Sequence, residues 1–278
     1  MTKKLELNEN KLKVLKVKDK TDKLTVTVNR LFDIPFRLIL CAKTGGSKGT
    51  IITNLFLNEN YGYTKIFSQG SQFYIFAPDA YSDEKMKILI EEKQIEDSNI
   101  FNDIDDLEDL YDLLVEDFKQ RIMNDEPIEF KVIIVDDLSF SAKFQSRFNA
   151  LQKLYCNSRK YMISLLTTNQ AYTQVAKNIR LQASGMIIGQ TSNKELTIIE
   201  EENNYLKGGK KAFFKMFRDN VKERYDFIVI NYSNNYDNLY LDKNFRPLAE
   251  EPHNEKDDES VERLQIKESS QQQQDKKN

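Results

Sequence analysis

A chain of 278 residues with 40% hydrophobic content is long enough to bury the core of one large α/β domain or two small ones. Its 31% charged fraction nearly cancels to a net charge of −3, which argues against a globally basic nucleic-acid footprint but leaves room for a local basic patch. Two cysteines argue against a disulfide framework, and the one histidine, His253 in a polar tail, argues against His-based catalysis; with no apolar run near the roughly 18 residues of a membrane span, the composition reads as a soluble intracellular protein.

Residues 1–30 read as an N-terminal strand-rich segment packing on the core, because residues 11–30 alternate apolar and polar, as in Leu24-Thr25-Val26-Thr27-Val28. Residues 36–40 are a short apolar run, the first buried strand, and residues 51–57 read as a helix. Between them stands Cys41-Ala42-Lys43-Thr44-Gly45-Gly46-Ser47-Lys48-Gly49-Thr50. Strand, Gly-rich turn, Lys and helix are the setting of a phosphate-binding loop. Backbone N–H groups of such a turn, with the positive end of the next helix, cradle a triphosphate, and the Lys reaches its β- and γ-phosphates. The spelling departs from the pattern at two positions. Ser47 stands where Gly precedes the Lys, and Gly49 stands where a magnesium-binding Ser or Thr follows it. Thr50 carries a hydroxyl one residue late, about 100° further around a helix. Changing Gly46→Ser, Ser47→Gly and Gly49→Ser would restore the pattern. The plainer alternative is a Gly-rich turn that holds no nucleotide.

Residues 73–77 form a second apolar strand, stopped at Pro78-Asp79. Residues 81–124 have helical spacing and many acids, which most simply form the wet face of an amphipathic helix. Residues 131–135 are a third core strand ending in Asp136-Asp137. Apolar residues followed by two acids have the form of a Walker B strand. There Asp136 holds magnesium through water and Asp137 orients or deprotonates the attacking water. The alternative is a buried strand that ends in a solvated turn.

Residues 144–156 read as a helix with Arg147 and Lys153, and residues 161–167 as a fourth strand running into Thr167-Thr168-Asn169-Gln170. A polar amide at that strand end, Gln170, is placed to sense a γ-phosphate or the attacking water, or belongs to an ordinary loop. Arg159, in Asn157-Ser158-Arg159-Lys160, is either a trans-acting arginine at a subunit interface or a solvated side chain, and Arg180 invites the same two readings. A fifth strand over 186–189, helices near 196–203 and 212–220, and a late strand over 227–230 follow. Lys207-Gly208-Gly209-Lys210-Lys211 reads as a mobile basic loop that touches DNA phosphates or is merely solvated. Residues 249–278, rich in Glu, Asp, Lys and Gln, read as a disordered tail.

Continuous apolar strands separated by helices imply an α/β fold, a mostly parallel sheet with helices on both faces. Ligands of such sheets sit at the carboxyl ends of the strands. The Gly turn, Asp136-Asp137 and residues 167–170 all fall at such ends.

The order and spacing of these pieces resemble the FtsK/HerA-type genome-packaging ATPases of poxviruses, giant viruses, virophages and virus-like transposons. The resemblance is carried by residues 36–52, by Tyr74-Ile75-Phe76-Ala77-Pro78, by residues 132–138, and above all by Cys156-Asn157-Ser158-Arg159-Lys160-Tyr161-Met162-Ile163-Ser164-Leu165-Leu166-Thr167-Thr168-Asn169-Gln170. Asn178-Ile179-Arg180 and Met186-Ile187-Ile188-Gly189 follow in the family's order, so that it covers about residues 31–241. It implies a RecA-like P-loop NTPase core over residues 31–248 that binds ATP through Thr44, Gly45, Gly46, Ser47, Lys48, Gly49 and Thr50. In the same way it implies Asp136 as the Mg²⁺ residue through water, and Asp137, Gln170 and Arg159 as catalytic groups, Arg159 being the candidate arginine finger. It further implies a homo-oligomeric ring, typically a hexamer, that hydrolyses ATP and translocates double-stranded DNA into a capsid. Its partners would then be DNA and capsid proteins, with no membrane, and its place the host cytoplasm or nucleus or a site of virus assembly. The family spells its turn Thr-Gly-Ser-Gly-Lys-Ser/Thr, and this chain does not. A second hypothesis is therefore a catalytically weakened or inactive relative that serves as a DNA-binding or assembly subunit. A third, a nucleotide kinase, lacks a recognisable Arg-rich lid.

Overall fold

The computed structural model describes residues 25–28, 31–78, 80–137 and 148–248, without the side chains of residues 148 and 149. Most of the expected N-terminal strand segment, the basic residue Arg147 and the tail from residue 249 lie outside the described residues. From the N-terminal segment, Val26 forms an isolated antiparallel bridge with Ile34, each N–H donating to the other's carbonyl at 2.9 Å.

The strands are β1 (Arg37–Cys41), β2 (Phe73–Phe76), β3 (Ile100–Phe101), β4 (Lys131–Val135), β5 (Ile163–Asn169), β6 (Gly185–Ile188), β7 (Ile228–Asn231) and β8 (Tyr240–Leu241). They form one sheet in the order β3-β2-β4-β5-β1-β6-β7-β8. The helices are α1 (Lys48–Leu57), α2 (Tyr63–Ile66), α3 (Glu84–Lys93), α4 (Leu107–Met123), α5 (Phe148–Asn157), α6 (Lys177–Arg180), α7 (Asn193–Asn203) and α8 (Gly209–Asn220). From β3 to β6 every pairing is parallel.

The sheet is buried on both faces because its strands are apolar at successive positions. Along β1, Ile39 and Cys41 join a core with Leu110 and Leu114 of α4, Leu154 of α5, Ile199 of α7 and Phe213 of α8. Leu38 and Leu40 point the other way, into a core with Ile52 and Phe56 of α1, Tyr63 of α2 and Leu89 of α3. Among the described residues, no helix is long and apolar enough to cross a membrane.

Several expectations change in detail. The helical stretch over 81–124 divides: α3 ends at Gln94, which takes a left-handed φ of 54°, and the two-residue strand β3 precedes α4. The fourth predicted strand, β5, starts later, because residues 158–161 make a 3-10 turn and Met162 turns left-handed (φ 58°). The late strand β7 runs antiparallel to β6, and β8 antiparallel to β7, so the sheet is mixed at that edge. The basic segment at 207–211 is not wholly a loop. Helix α8 begins inside it at Gly209, since Phe213 and Phe217, one turn apart, bury a common face.

Candidate active site

Strands β4, β5 and β1 lie side by side, with Val135 opposite Thr167 and Cys41 opposite Asn169. Neighbouring strands are about 4.8 Å apart. The Gly turn after β1 and the acids after β4 therefore face each other across the end of β5.

The Gly turn is tied down on both sides. The Ala42 N–H donates to the Asn169 carbonyl at 3.1 Å, the Lys43 N–H to the Gln190 carbonyl at 2.9 Å, and the Gly46 N–H closes the turn onto the Lys43 carbonyl at 2.8 Å. Gly45 has a φ of 75°, which only a residue without Cβ adopts freely. At Gly46 a Cβ would lie 2.7 Å from the Lys43 carbonyl oxygen, so the Ser that would restore the usual spelling there does not fit.

Ser47 is also left-handed, with φ 75° and ψ 9°, a conformation that costs a side-chain-bearing residue about 1–2 kcal/mol. A distant residue offsets this cost. The Ser47 hydroxyl donates to the Arg224 carbonyl at 2.7 Å, and Arg224 Nε donates back to the Gly45 carbonyl at 2.7 Å. The side chain that departs from the pattern is thus held by the segment before β7.

Helix α1 starts at Lys48 without a side-chain cap, so its first N–H groups are open to an anion. Lys48 Nζ lies 3.4 Å from the Ala42 carbonyl, a long hydrogen bond. Thr50 borders a hollow whose walls include neither acid. With Ser47, Asn54, Tyr61, Tyr225 and Phe245 it lines a cavity of about 270 Å³ beside α1.

On the other side of β5, the Asp136 carboxylate accepts the Thr168 hydroxyl. Burial pushes the Asp136 pKa up; the Thr168 hydrogen bond and the Lys48 charge oppose that, and the Asp137 and Asp83 charges add to it. Asp137 is left-handed (φ 49°), which a short polar side chain tolerates, and its N–H donates to Thr168 Oγ1 at 3.2 Å. Its carboxylate accepts Gln170 Nε2 at 3.0 and 3.3 Å, while Gln170 Oε1 accepts the Thr44 hydroxyl at 2.9 Å. A hydrogen-bonded chain, Thr44–Gln170–Asp137, therefore joins the Gly turn to the acids.

Magnesium commonly takes one or two carboxylates together with phosphate oxygens and water. Among the described residues, no group of three or more His, Cys, Asp or Glu gathers as a metal cage. Half-buried Asp136, within reach of the Lys48 charge, fits an ion whose shell is completed by a nucleotide, and not a protein-only site.

Two arginines have different fates. Arg159 is exposed in the 3-10 turn before β5. It lies at the opposite end of that strand from Gln170, about 20 Å away by the rise of a strand. There its charge, after burial, helps to lower the pKa of Arg37. It is not part of its own chain's site. Arg180 is structural: it grips Glu202 at 2.9 and 2.6 Å and stacks 4.4 Å from the Tyr172 ring centre. The sequence missed the parts played by Thr168 and Arg224. Thr168 lies inside a stretch already singled out, but its position beside Asp136 depends on the β4–β5 register. Nothing local marks Arg224.

A family model described as poxvirus A32 protein matches residues 24–246. By sequence, no curated protein matches the chain. Among solved structures the chain is similar to the genome packaging NTPase B204 from Sulfolobus turreted icosahedral virus 2 in complex with sulfate. That pair has 16% identity and a TM-score of 0.51 over 78% of this chain and 98% of that one. It is also similar to EssC (ATPases 2 and 3) from Geobacillus thermodenitrificans, with 15% identity and a TM-score of 0.53 over 86% of this chain and 45% of that one. At such identities the likeness is one of fold, and the fold is that of a P-loop NTPase with a mostly parallel sheet.

Proposed function

Because the chain belongs to the poxvirus A32 protein family, we propose that it is an ATPase that drives double-stranded DNA into a capsid and so packages a viral or virus-like genome. The observation that carries this reading is the Thr44–Gln170–Asp137 chain of hydrogen bonds. It couples the turn that would hold phosphate to the acid that would act on water.

In this reading the open N–H groups of α1 and the Lys48 ammonium bind the β- and γ-phosphates, Lys48 exchanging its long bond to the Ala42 carbonyl for phosphate oxygens. Asp136, oriented by Thr168, holds magnesium through water, and the ion supplies neutralisation of phosphate charge. Gln170 holds Asp137 in the absence of nucleotide. A γ-phosphate arriving at Thr44 competes for the Gln170 amide and frees Asp137 to orient the attacking water. The cavity beside Thr50, with Tyr61, Tyr225 and Phe245 on its walls, suits the flat apolar faces of a purine. Arg159 completes the site of a neighbouring subunit, so the working form is a ring.

The test is ATP hydrolysis by the full chain with Mg²⁺, with and without double-stranded DNA. DNA should stimulate turnover, and Asp137→Asn should abolish it. The absence of Gly49's hydroxyl favours a second reading, a weakened relative that binds DNA or helps assembly. Nucleotide binding without turnover, unchanged by DNA, would select that reading instead.

A further inference from the structure

Gly49 lacks the hydroxyl that normally meets magnesium, and Thr50 lines the cavity walled by Tyr61, Tyr225 and Phe245. The space beside Gly49 is occupied from α3. A Cβ at Gly49 would lie 3.6 Å from Asp83 Oδ1, and 3.2 and 3.4 Å from the Lys85 methylenes Cδ and Cβ. Asp83 is the N-cap of α3. Its Oδ1 accepts the Lys85 and Met86 N–H groups, each at 2.9 Å. Those bonds fix the carboxylate, and among the described residues its other oxygen takes no hydrogen bond.

The position of Asp83 relative to the Gly turn is set by helix packing. The Thr53 hydroxyl of α1 donates to the Gly49 carbonyl at 2.8 Å and lies 3.2 Å from the Lys85 carbonyl of α3. Asp83 is also close enough for its charge to act on Asp136. Two carboxylates, one at the start of α3 and one after β4, therefore stand near the start of α1, the number of carboxylates that magnesium commonly takes beside phosphate oxygens and water.

The geometry points to Asp83 as the residue that takes over the role of the missing hydroxyl, as a ligand for the magnesium ion that enters with the nucleotide. This rests on reading the Gly turn as a nucleotide site. A carboxylate in that role differs from a hydroxyl in one measurable way. Without metal, its charge repels the polyphosphate; with metal, it attracts the complex more strongly than a neutral oxygen would.

The experiment is equilibrium binding of a non-hydrolysable ATP analogue to the full chain, in Mg²⁺ and in chelator. The variants are Asp83→Asn, which preserves the helix cap, and Asp83→Asn with Gly49→Ser. In Asp83→Asn the gain in affinity on adding Mg²⁺ should fall about tenfold, while metal-free affinity holds or rises. Gly49→Ser should return part of the gain, Lys85 shifting by a few tenths of an ångström to admit it. A loss that is equal with and without metal means a purely structural carboxylate and overturns the proposal, as does an undiminished Mg²⁺ gain. Failure of the unaltered chain to bind the analogue under either condition overturns the nucleotide-site reading itself, and this proposal with it.

Discussion

Two effects of similar size and opposite sign meet at Ser47. Its left-handed backbone costs about 1–2 kcal/mol relative to Gly, and its hydroxyl bond to the Arg224 carbonyl returns about 1 kcal/mol. Ser47→Ala keeps the strain and loses the bond, so it should destabilise the fold by about 1 kcal/mol. Ser47→Gly loses the bond and the strain together and should be the more stable of the two variants, as denaturant midpoints would show. The same scale governs Gln170. Gln170→Ala should lower the rate of hydrolysis about a hundredfold while changing nucleotide affinity only a few-fold, because Gln170 touches Asp137 and Thr44 and leaves Lys48 alone. Individual site residues were legible in the sequence where they stand next to a strand end, as Asp136, Asp137 and Gln170 do. Asp83 and Arg224 were not legible. Both reach the Gly turn through packing: Asp83 lies 34 positions from Gly49 in the chain, and Arg224 lies 177 from Ser47.

At the scale of elements, the pin between α6 and α7 shows what a hydrogen-bonded ion pair contributes. Arg180 meets Glu202 through two N–H groups, and the Tyr172 hydroxyl donates to Glu202 at 2.7 Å. The Arg180 contact, ahead of burial, which opposes it, and of the Tyr172 bond, holds the Glu202 carboxyl below its ordinary range. A carboxyl whose folded pKa is depressed stabilises the fold above its unfolded pKa, and that contribution is lost as the pH falls through the folded value. Glu202→Gln should therefore cost roughly 2 kcal/mol at neutral pH. The gap between the two proteins in denaturant midpoint should close as the pH drops below about 4. No closure of the gap would mean that the pair is not what holds α7. Elements with long apolar runs, β1, β4 and β5, were legible from periodicity. β3 and β8 are two residues each, too short for any period to register, and the antiparallel turn of β7 depends on which partner it finds. Helix α8 was legible over 212–220, where Phe213 and Phe217 carry its spacing, and only its first turn at 209–211 hid behind a Gly-Gly pair.

For the whole molecule, the placement of Arg159 decides how the proposed activity must be organised. Asp136, Asp137 and the Gly turn sit at the carboxyl end of the sheet, while Arg159 lies beside Arg37 at the end where β5 and β1 begin. A strand of 7 residues separates the two, about 20 Å at the rise of a strand, and no side chain spans that distance. If Arg159 stabilises transition-state charge, it does so in another copy, and a single chain holds two half-sites. The proposed ring would meet this need if it is built head to tail, with the surface that carries Arg159 on one subunit set against the carboxyl end of the next subunit's sheet. Arg159→Ala and Asp137→Asn should each be inactive alone. Mixed as subunits in equal amounts, they should regain activity, because an Arg159→Ala chain has intact acids and its Asp137→Asn neighbour supplies the arginine. Random mixing leaves about a quarter of interfaces complete, which sets the size of the recovery to look for in a hydrolysis assay on the mixture. Recovery requires that the arginine act across subunits. If each mutant is dead alone and the mixture stays dead after subunit exchange has been verified, Arg159 belongs to the fold of its own chain, alongside Arg37, and the finger must be sought on another surface of the ring.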